Sequence, residues 1–82
     1  MKQETFVLKH FSDMSVEPTS LFVQIAGRFS SAVTVSVNDR SVNAKSLMGM
    51  MMLGLAEGRQ ISVTVDGSDE QAVLDALKKQ FA

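Results

Sequence analysis

In the stretch Ala32-Val33-Thr34-Val35-Ser36-Val37-Asn38-Asp39-Arg40-Ser41-Val42-Asn43, valine falls on every second residue from 33 to 37. A strict period of two places Val33, Val35 and Val37 on one face and Ala32, Thr34 and Ser36 on the other, which is the pattern of a half-buried strand. β-Branched side chains favour the extended backbone. Asn38-Asp39 invites a tight turn, so Arg40 to Asn43 returns as the second arm of a hairpin.

Toward the C-terminus, Ser46 precedes Leu47-Met48-Gly49-Met50-Met51-Met52-Leu53 and reads as the N-cap of a short helix that Gly54 and Gly58 end. Ile61 to Val65 alternates again and closes at Asp66-Gly67. Ser68-Asp69-Glu70-Gln71 has the form of a capping box. The helix it opens carries Val73, Ala76, Leu77 and Phe81 on one face, with Lys78-Lys79 suited to its C-terminus. Toward the N-terminus, Leu21, Phe22, Ile25, Ala26 and Phe29 form an apolar stripe at helical spacing over residues 18–29. Pro18 fits the first turn, and Ser15 or Glu17 sits at or beside the N-cap. Residues 10–17 are polar and turn-forming. Before them, Thr5-Phe6-Val7-Leu8-Lys9 alternates as a strand with Phe6 and Leu8 inward.

The order is thus βαββαβα. Each strand has one apolar face, so the sheet needs cover on one side, and three amphipathic helices supply it. The class is α+β, an open-faced sandwich with a mostly antiparallel sheet, in one domain spanning 1–82. A chain of 82 residues is too short for two independent cores. Hydrophobic residues at 45% against 21% charged indicate a globular chain rather than a disordered one. Eight basic against nine acidic residues leave no surplus to neutralise phosphate backbones, so direct nucleic-acid binding is not expected. With no cysteine and one histidine, thiol chemistry, disulfides and cysteine-ligated zinc are excluded, and neither a metal nor a cofactor is expected. No apolar run approaches the roughly 18 residues of a membrane span. Met1-Lys2-Gln3-Glu4 leads into the first strand without the apolar core of a signal peptide, so a soluble cytoplasmic protein is the default expectation.

Three groups of residues are candidates for chemistry. His10, Asp13 and Ser15 lie within six positions. A hydrolytic triad requires these groups to meet on a rigid frame beside an oxyanion hole, and one short loop without a nucleophile elbow does not provide that. His10 reads as a surface residue at a strand end. Met48, Met50, Met51 and Met52 crowd a helix of seven residues that cannot hide all of them, so some face solvent. They serve either as core filler with a tolerated exposed residue or as an adaptable contact surface for a protein partner. Ser46 satisfies an orphan N–H as a cap, worth about 1 kcal/mol. As a phosphorylation site it places a dianion at a helix N-terminus beside Lys45.

Val42-Asn43-Ala44-Lys45-Ser46-Leu47-Met48-Gly49, then Leu53-Gly54-Leu55, together with Leu21-Phe22-Val23-Gln24 after a proline and Gly67-Ser68-Asp69-Glu70-Gln71, resembles the HPr family, the histidine-containing phosphocarriers of the bacterial sugar phosphotransferase system (PTS). The resemblance covers nearly the whole chain and implies the HPr fold, a four-stranded antiparallel sheet covered on one face by three helices. The family's active-site motif, Gly-[Leu/Ile]-His-[Ala/Thr]-Arg-Pro, aligns with Asp13-Met14-Ser15-Val16-Glu17-Pro18. Ser15 stands at the phosphoacceptor position and Glu17 at the position of the arginine. A hydroxyl is a poor nucleophile without an activating base, and its phosphate ester is too stable to hand on readily. The arginine fork binds phosphoryl oxygens bidentately, whereas Glu17 reverses the sign. Like unit charges about 4 Å apart in a surface-like dielectric repel by about 4 kcal/mol.

The chain is similar in kind to the family's catabolite-repression branch, which lacks the acceptor histidine and keeps the regulatory serine. That likeness implies no enzymatic activity and phosphorylation of Ser46 by HPr kinase/phosphorylase. It further implies docking on a transcriptional regulator like catabolite control protein A through Lys45, Ser46, Met48 and Met51, with Ser20 and Gln24 on the neighbouring helix. It implies a monomer or a weak, strand-swapped dimer. In that branch the motif arginine persists, and Glu17 departs from it. Two rival readings stand beside this one: a working carrier in sugar uptake, and an interaction module with neither phosphorylation.

Overall fold

The computed structural model describes residues 1–10 and 17–82. They form strands β1 (Lys2–Val7), β2 (Ala32–Val37), β3 (Arg40–Asn43) and β4 (Gln60–Asp66), and helices α1 (Pro18–Gly27), α2 (Leu47–Leu53) and α3 (Glu70–Phe81), in the order βαββαβα. The strands join as β1-β4-β2-β3, and every neighbouring pair is antiparallel. This is the α+β open-faced sandwich that the alternation predicts.

The valine periodicity becomes the core. Val33, Val35 and Val37 of β2 and Ile61, Val63 and Val65 of β4 are buried, and the register sets Val35 against Val63 and Val33 against Val65. The helices press Phe22, Ile25, Ala26, Met50, Leu53, Val73, Leu74, Leu77 and Phe81 onto this face. Phe22 of α1 and Phe81 of α3 stack with ring centroids 5.1 Å apart at 29°. Such a pair adds about 0.5–1.5 kcal/mol beyond the area it buries. On the other face, the same register lines up two uncharged polar rows, Thr5-Ser62-Ser36-Ser41 and Gln3-Thr64-Thr34-Asn43. Within the first row, Thr5 pairs with Ser62 and Ser36 with Ser41, each through hydroxyls 2.8 Å apart.

Several local expectations shift. The first strand runs over residues 2–7 rather than 5–9, because β4 ends its ladder at Gln60 opposite Val7. Beyond that point the Leu8 N–H donates to the Arg59 carbonyl at 2.9 Å and the Lys9 N–H to the Phe81 carbonyl at 2.6 Å. Phe6 and Leu8 keep their inward face, with Leu8 fully buried. The first helix stops at Gly27 with Arg28 as its C-cap, so Phe29 packs on the core from the following loop. Thr19 and Leu74, absent from the predicted stripes, are buried. Gly54, with φ at 73°, ends α2, while Gly58 shapes the next turn. His10 lies exposed past β1 with φ at 70°.

The largest local departure is at α3. Ser68 and Gln71 do not form the expected capping box. Asp69 is the N-cap residue, yet its carboxylate makes no cap bond. It instead accepts from the backbone N–H groups of Ser30 and Ser31, at 3.0 Å each, and from both serine hydroxyls. A tertiary clamp to the start of β2 has replaced a local bond. Glu70 takes over the local closure by accepting from the Gly67 N–H at 3.3 Å. Gly67 belongs to the clamp too, since a methyl group there would lie 2.7 Å from Ser31 Cα.

Candidate functional site

Two helix N-termini carry the residues that the sequence marks for phosphoryl chemistry. Asp13, Met14 and Ser15 lie outside the described residues, and Glu17 is described. Glu17 is the N-cap of α1, with extended backbone, and its side chain accepts from the Ser20 N–H at 2.8 Å. Pro18 holds the first helical position, where no N–H is needed. Desolvation pushes the Glu17 carboxyl up, but hydrogen bonds from the Ser20 and Thr19 backbone N–H groups outweigh it and hold the group below the usual carboxylate range. The donors at this helix end are therefore already turned toward a fixed anion. A phosphoryl group would meet both charge repulsion and competition for these N–H groups.

At α2 the cap is neutral. Ser46 is exposed, its backbone is extended, and its Oγ accepts from the Gly49 N–H at 3.2 Å. The approach to it is fixed by Asn43, whose Oδ1 accepts from the Lys45 N–H at 2.9 Å and whose carbonyl accepts from the Ser46 N–H at 3.0 Å. The hydroxyl keeps its own proton to donate or exchange. Lys45 does not reach toward it: its ammonium donates to the Phe29 carbonyl at 2.7 Å, and the residue is half-buried.

The body of α2 divides sharply. Met50 and Leu53 are buried at 0% and 5% exposure, and they anchor the helix. Leu47, Met48, Met51 and Met52 are exposed at 43%, 75%, 64% and 68% and together line one shallow apolar surface. A helix of seven residues presents one inward stripe, and positions 50 and 53 fill it. The rest of its apolar side chains are left outside. Leu47, which the sequence reading did not name as a contact, belongs to this surface, and so does Met52, which that reading counted in the methionine cluster but not among the partner contacts. The signal for them was the same crowding of apolar residues on so short a helix. Ser20 is half-buried and Gln24 exposed, one helical turn apart on α1, which packs on α2.

Among the described residues, no three His, Cys, Asp or Glu side chains gather to hold a metal, and no helix is long and apolar enough to cross a membrane.

Residues 2–82 match the family model described as the PTS HPr component phosphorylation site. The fold is similar to that of the phosphocarrier protein HPr from Bacillus anthracis, with a TM-score of 0.89 and 33% identity over 99% of this chain and 96% of that one. It is similar to HPr-C-His from Thermoanaerobacter tengcongensis, with a TM-score of 0.86 and 36% identity over 96% of this chain and 89% of that one. It is also similar to the catabolite repression protein Crh from Bacillus subtilis, described as a swapped dimer, with a TM-score of 0.71 and 35% identity over 92% of this chain and 82% of that one.

Proposed function

The chain belongs to the HPr family of the phosphotransferase system, and from that premise we propose that it is a regulatory member, phosphorylated on Ser46 and unable to relay a phosphoryl group through Ser15. The observation that carries this reading is the adjacency, on one seven-residue helix, of an exposed cap hydroxyl at Ser46 and an exposed apolar surface of Leu47, Met48, Met51 and Met52. A kinase needs the first, and a protein partner is recognised by the second. Phosphorylation adds a charge of about −1.5 to −2 with three strong acceptor oxygens. Placed beside an apolar patch, that charge makes a mixed surface suited to a partner presenting arginine next to apolar side chains.

In this reading HPr kinase/phosphorylase is the modifying enzyme, and a transcriptional regulator like catabolite control protein A is the partner. Lys45, Ser46, Met48 and Met51 form the contact, with Ser20 and Gln24 at its margin. The chain itself is not an enzyme, binds no nucleic acid directly and works in the cytoplasm as a single domain, monomeric or weakly dimeric. The swapped dimer described for Crh supports the dimeric option. Glu17 supports the loss of relay: it stands where the family has arginine, and its carboxylate already holds the Ser20 N–H.

Incubation with HPr kinase/phosphorylase and ATP is expected to add one phosphate, absent in Ser46→Ala. Lack of incorporation into the unaltered chain would overturn the regulatory reading. Incubation with Enzyme I and phosphoenolpyruvate is expected to leave no acid-labile phosphate. Its presence would favour the working-carrier reading.

A further inference from the structure

Four of the six methionines of this chain fall within five positions, and no cysteine is present to compete for an oxidant. The fold separates the four. Met50 is fully buried, whereas Met48, Met51 and Met52 are exposed at 75%, 64% and 68%. Their thioethers are thus open to small oxidants on the surface proposed above for docking, while the one methionine that anchors α2 is shielded. Oxidation of a buried methionine unfolds a core, but oxidation of these three changes the surface and leaves the anchor intact.

We infer that Met48, Met51 and Met52 form a reversible oxidation site that converts the apolar surface of α2 into a polar one and thereby releases its partner. The oxidant is a peroxide. A sulfur lone pair attacks one peroxide oxygen, the S–O bond forms and the O–O bond breaks. The departing hydroxide takes the proton of the new S–OH group and leaves as water, so that a neutral sulfoxide remains. Sulfur loses two electrons and the peroxide gains them. Reversal needs a thiol-dependent sulfoxide reductase. It removes the oxygen as water while two thiols become a disulfide. A sulfoxide is a strong acceptor and no longer packs as a soft apolar group, so three of them in one patch remove the reason for an apolar partner to stay. The neutral Ser46 cap and its bond to Gly49 do not involve sulfur, so the helix start is preserved.

The release of a partner rests on the docking reading given above, whereas the chemistry of the three sulfurs does not. The test treats the full-length protein with hydrogen peroxide and maps sulfoxides by peptide mass spectrometry over time, with exposed Met1 as the reference for open access. Met48, Met51 and Met52 are expected to oxidise at rates near that of Met1, and Met50 at least about tenfold more slowly. In parallel, retention on a phenyl matrix is expected to fall, and to return after treatment with methionine sulfoxide reductase and dithiothreitol. The triple variant Met48→Leu/Met51→Leu/Met52→Leu keeps the patch apolar without sulfur, and its retention is expected to be insensitive to peroxide. Equal oxidation of Met50, or unchanged retention of the oxidised protein, overturns the inference. Binding of the Ser46-phosphorylated chain to catabolite control protein A, measured before and after peroxide, is expected to weaken at least about tenfold in the unaltered chain and to be unchanged by peroxide in the triple variant. If the unoxidised chain is not phosphorylated, or does not bind once phosphorylated, the docking reading fails while the sulfur pattern and the matrix retention still judge the site. If binding is equally tight after oxidation, partner release is refuted.

Discussion

The start of α1 and the start of α2 are both capped by an oxygen from the residue just before the helix, and the two oxygens differ in charge. Glu17 brings a carboxylate to α1, while Ser46 brings a hydroxyl to α2. The first site is electrostatically complete, since the helix-end N–H groups already have their anion. The second has a neutral acceptor, an exposed position and a proton to exchange. In the reading proposed above, this difference moves the site open to modification from one helix to the other.

The largest test of that contrast is to rebuild the first site. Ser15→His/Glu17→Arg is expected to accept phosphoryl from Enzyme I and phosphoenolpyruvate, read as acid-labile label. Ser15→His alone is expected to accept it at least about a hundredfold more slowly, because the Glu17 charge remains against the cargo. Comparable labelling of the two variants would show that the carboxylate is irrelevant.

Within α2 the two faces are expected to respond very differently to truncation. Met50→Ala, at a fully buried position, is expected to cost about 2–5 kcal/mol in urea unfolding. Met51→Ala, at an exposed one, is expected to stay within about 0.5 kcal/mol. Met51→Asp is expected to slow phosphorylation of Ser46 by the kinase without lowering the unfolding midpoint. A matching loss of stability in Met51→Asp would mean that the exposed face is structural.

Removing the α2 cap by Ser46→Ala is expected to cost about 1 kcal/mol, independent of pH between 3 and 6, because a hydroxyl does not titrate there. A cap made by a carboxylate behaves otherwise. Glu17 is held below the usual carboxylate range, so the unfolded chain binds its proton more tightly. Its contribution is complete above the unfolded pKa of about 4.3 and fades as the pH falls through the lower folded value. Asp69 gives a steeper case of the same sign. The Ser31 hydroxyl, with the Ser30 and Ser31 N–H groups, pulls its carboxyl down to about 2. Stability is expected to decline from about pH 4 toward 2, and Asp69→Asn to flatten that limb more than Glu17→Gln does. An acid limb unchanged in Asp69→Asn would remove the clamp from this account.

The regular elements were legible because their signals are local. The valine alternation from 33 to 37 marked β2 residue for residue, and Asn38-Asp39 marked its turn. Ser46 could be placed as a cap, and the α1 cap narrowed to Ser15 or Glu17, because a cap bond reaches only three residues along the chain. The crowding of methionines showed that some had to be exposed, but not which. That depends on the phase of α2 over the sheet, which the packing of Met50 and Leu53 sets. The capping box at Ser68 failed for a related reason. The pattern was correct for an isolated helix, but Ser30 and Ser31 offered Asp69 four donors from 38 and 39 residues away.

By itself the sequence determined the order βαββαβα, the one-sided core and a carboxylate at Glu17 directly before the Pro18 helix, because periodicity, turn chemistry and charge are properties of neighbouring residues. Only the tertiary structure decided that Met50 goes inside while Met48, Met51 and Met52 stay out. It also decided that Asp69 abandons its own helix for β2, and that the Lys45 ammonium turns to the Phe29 carbonyl rather than to Ser46. These outcomes depend on which distant groups the packed sheet and helices bring within bonding distance, and no local pattern encodes that.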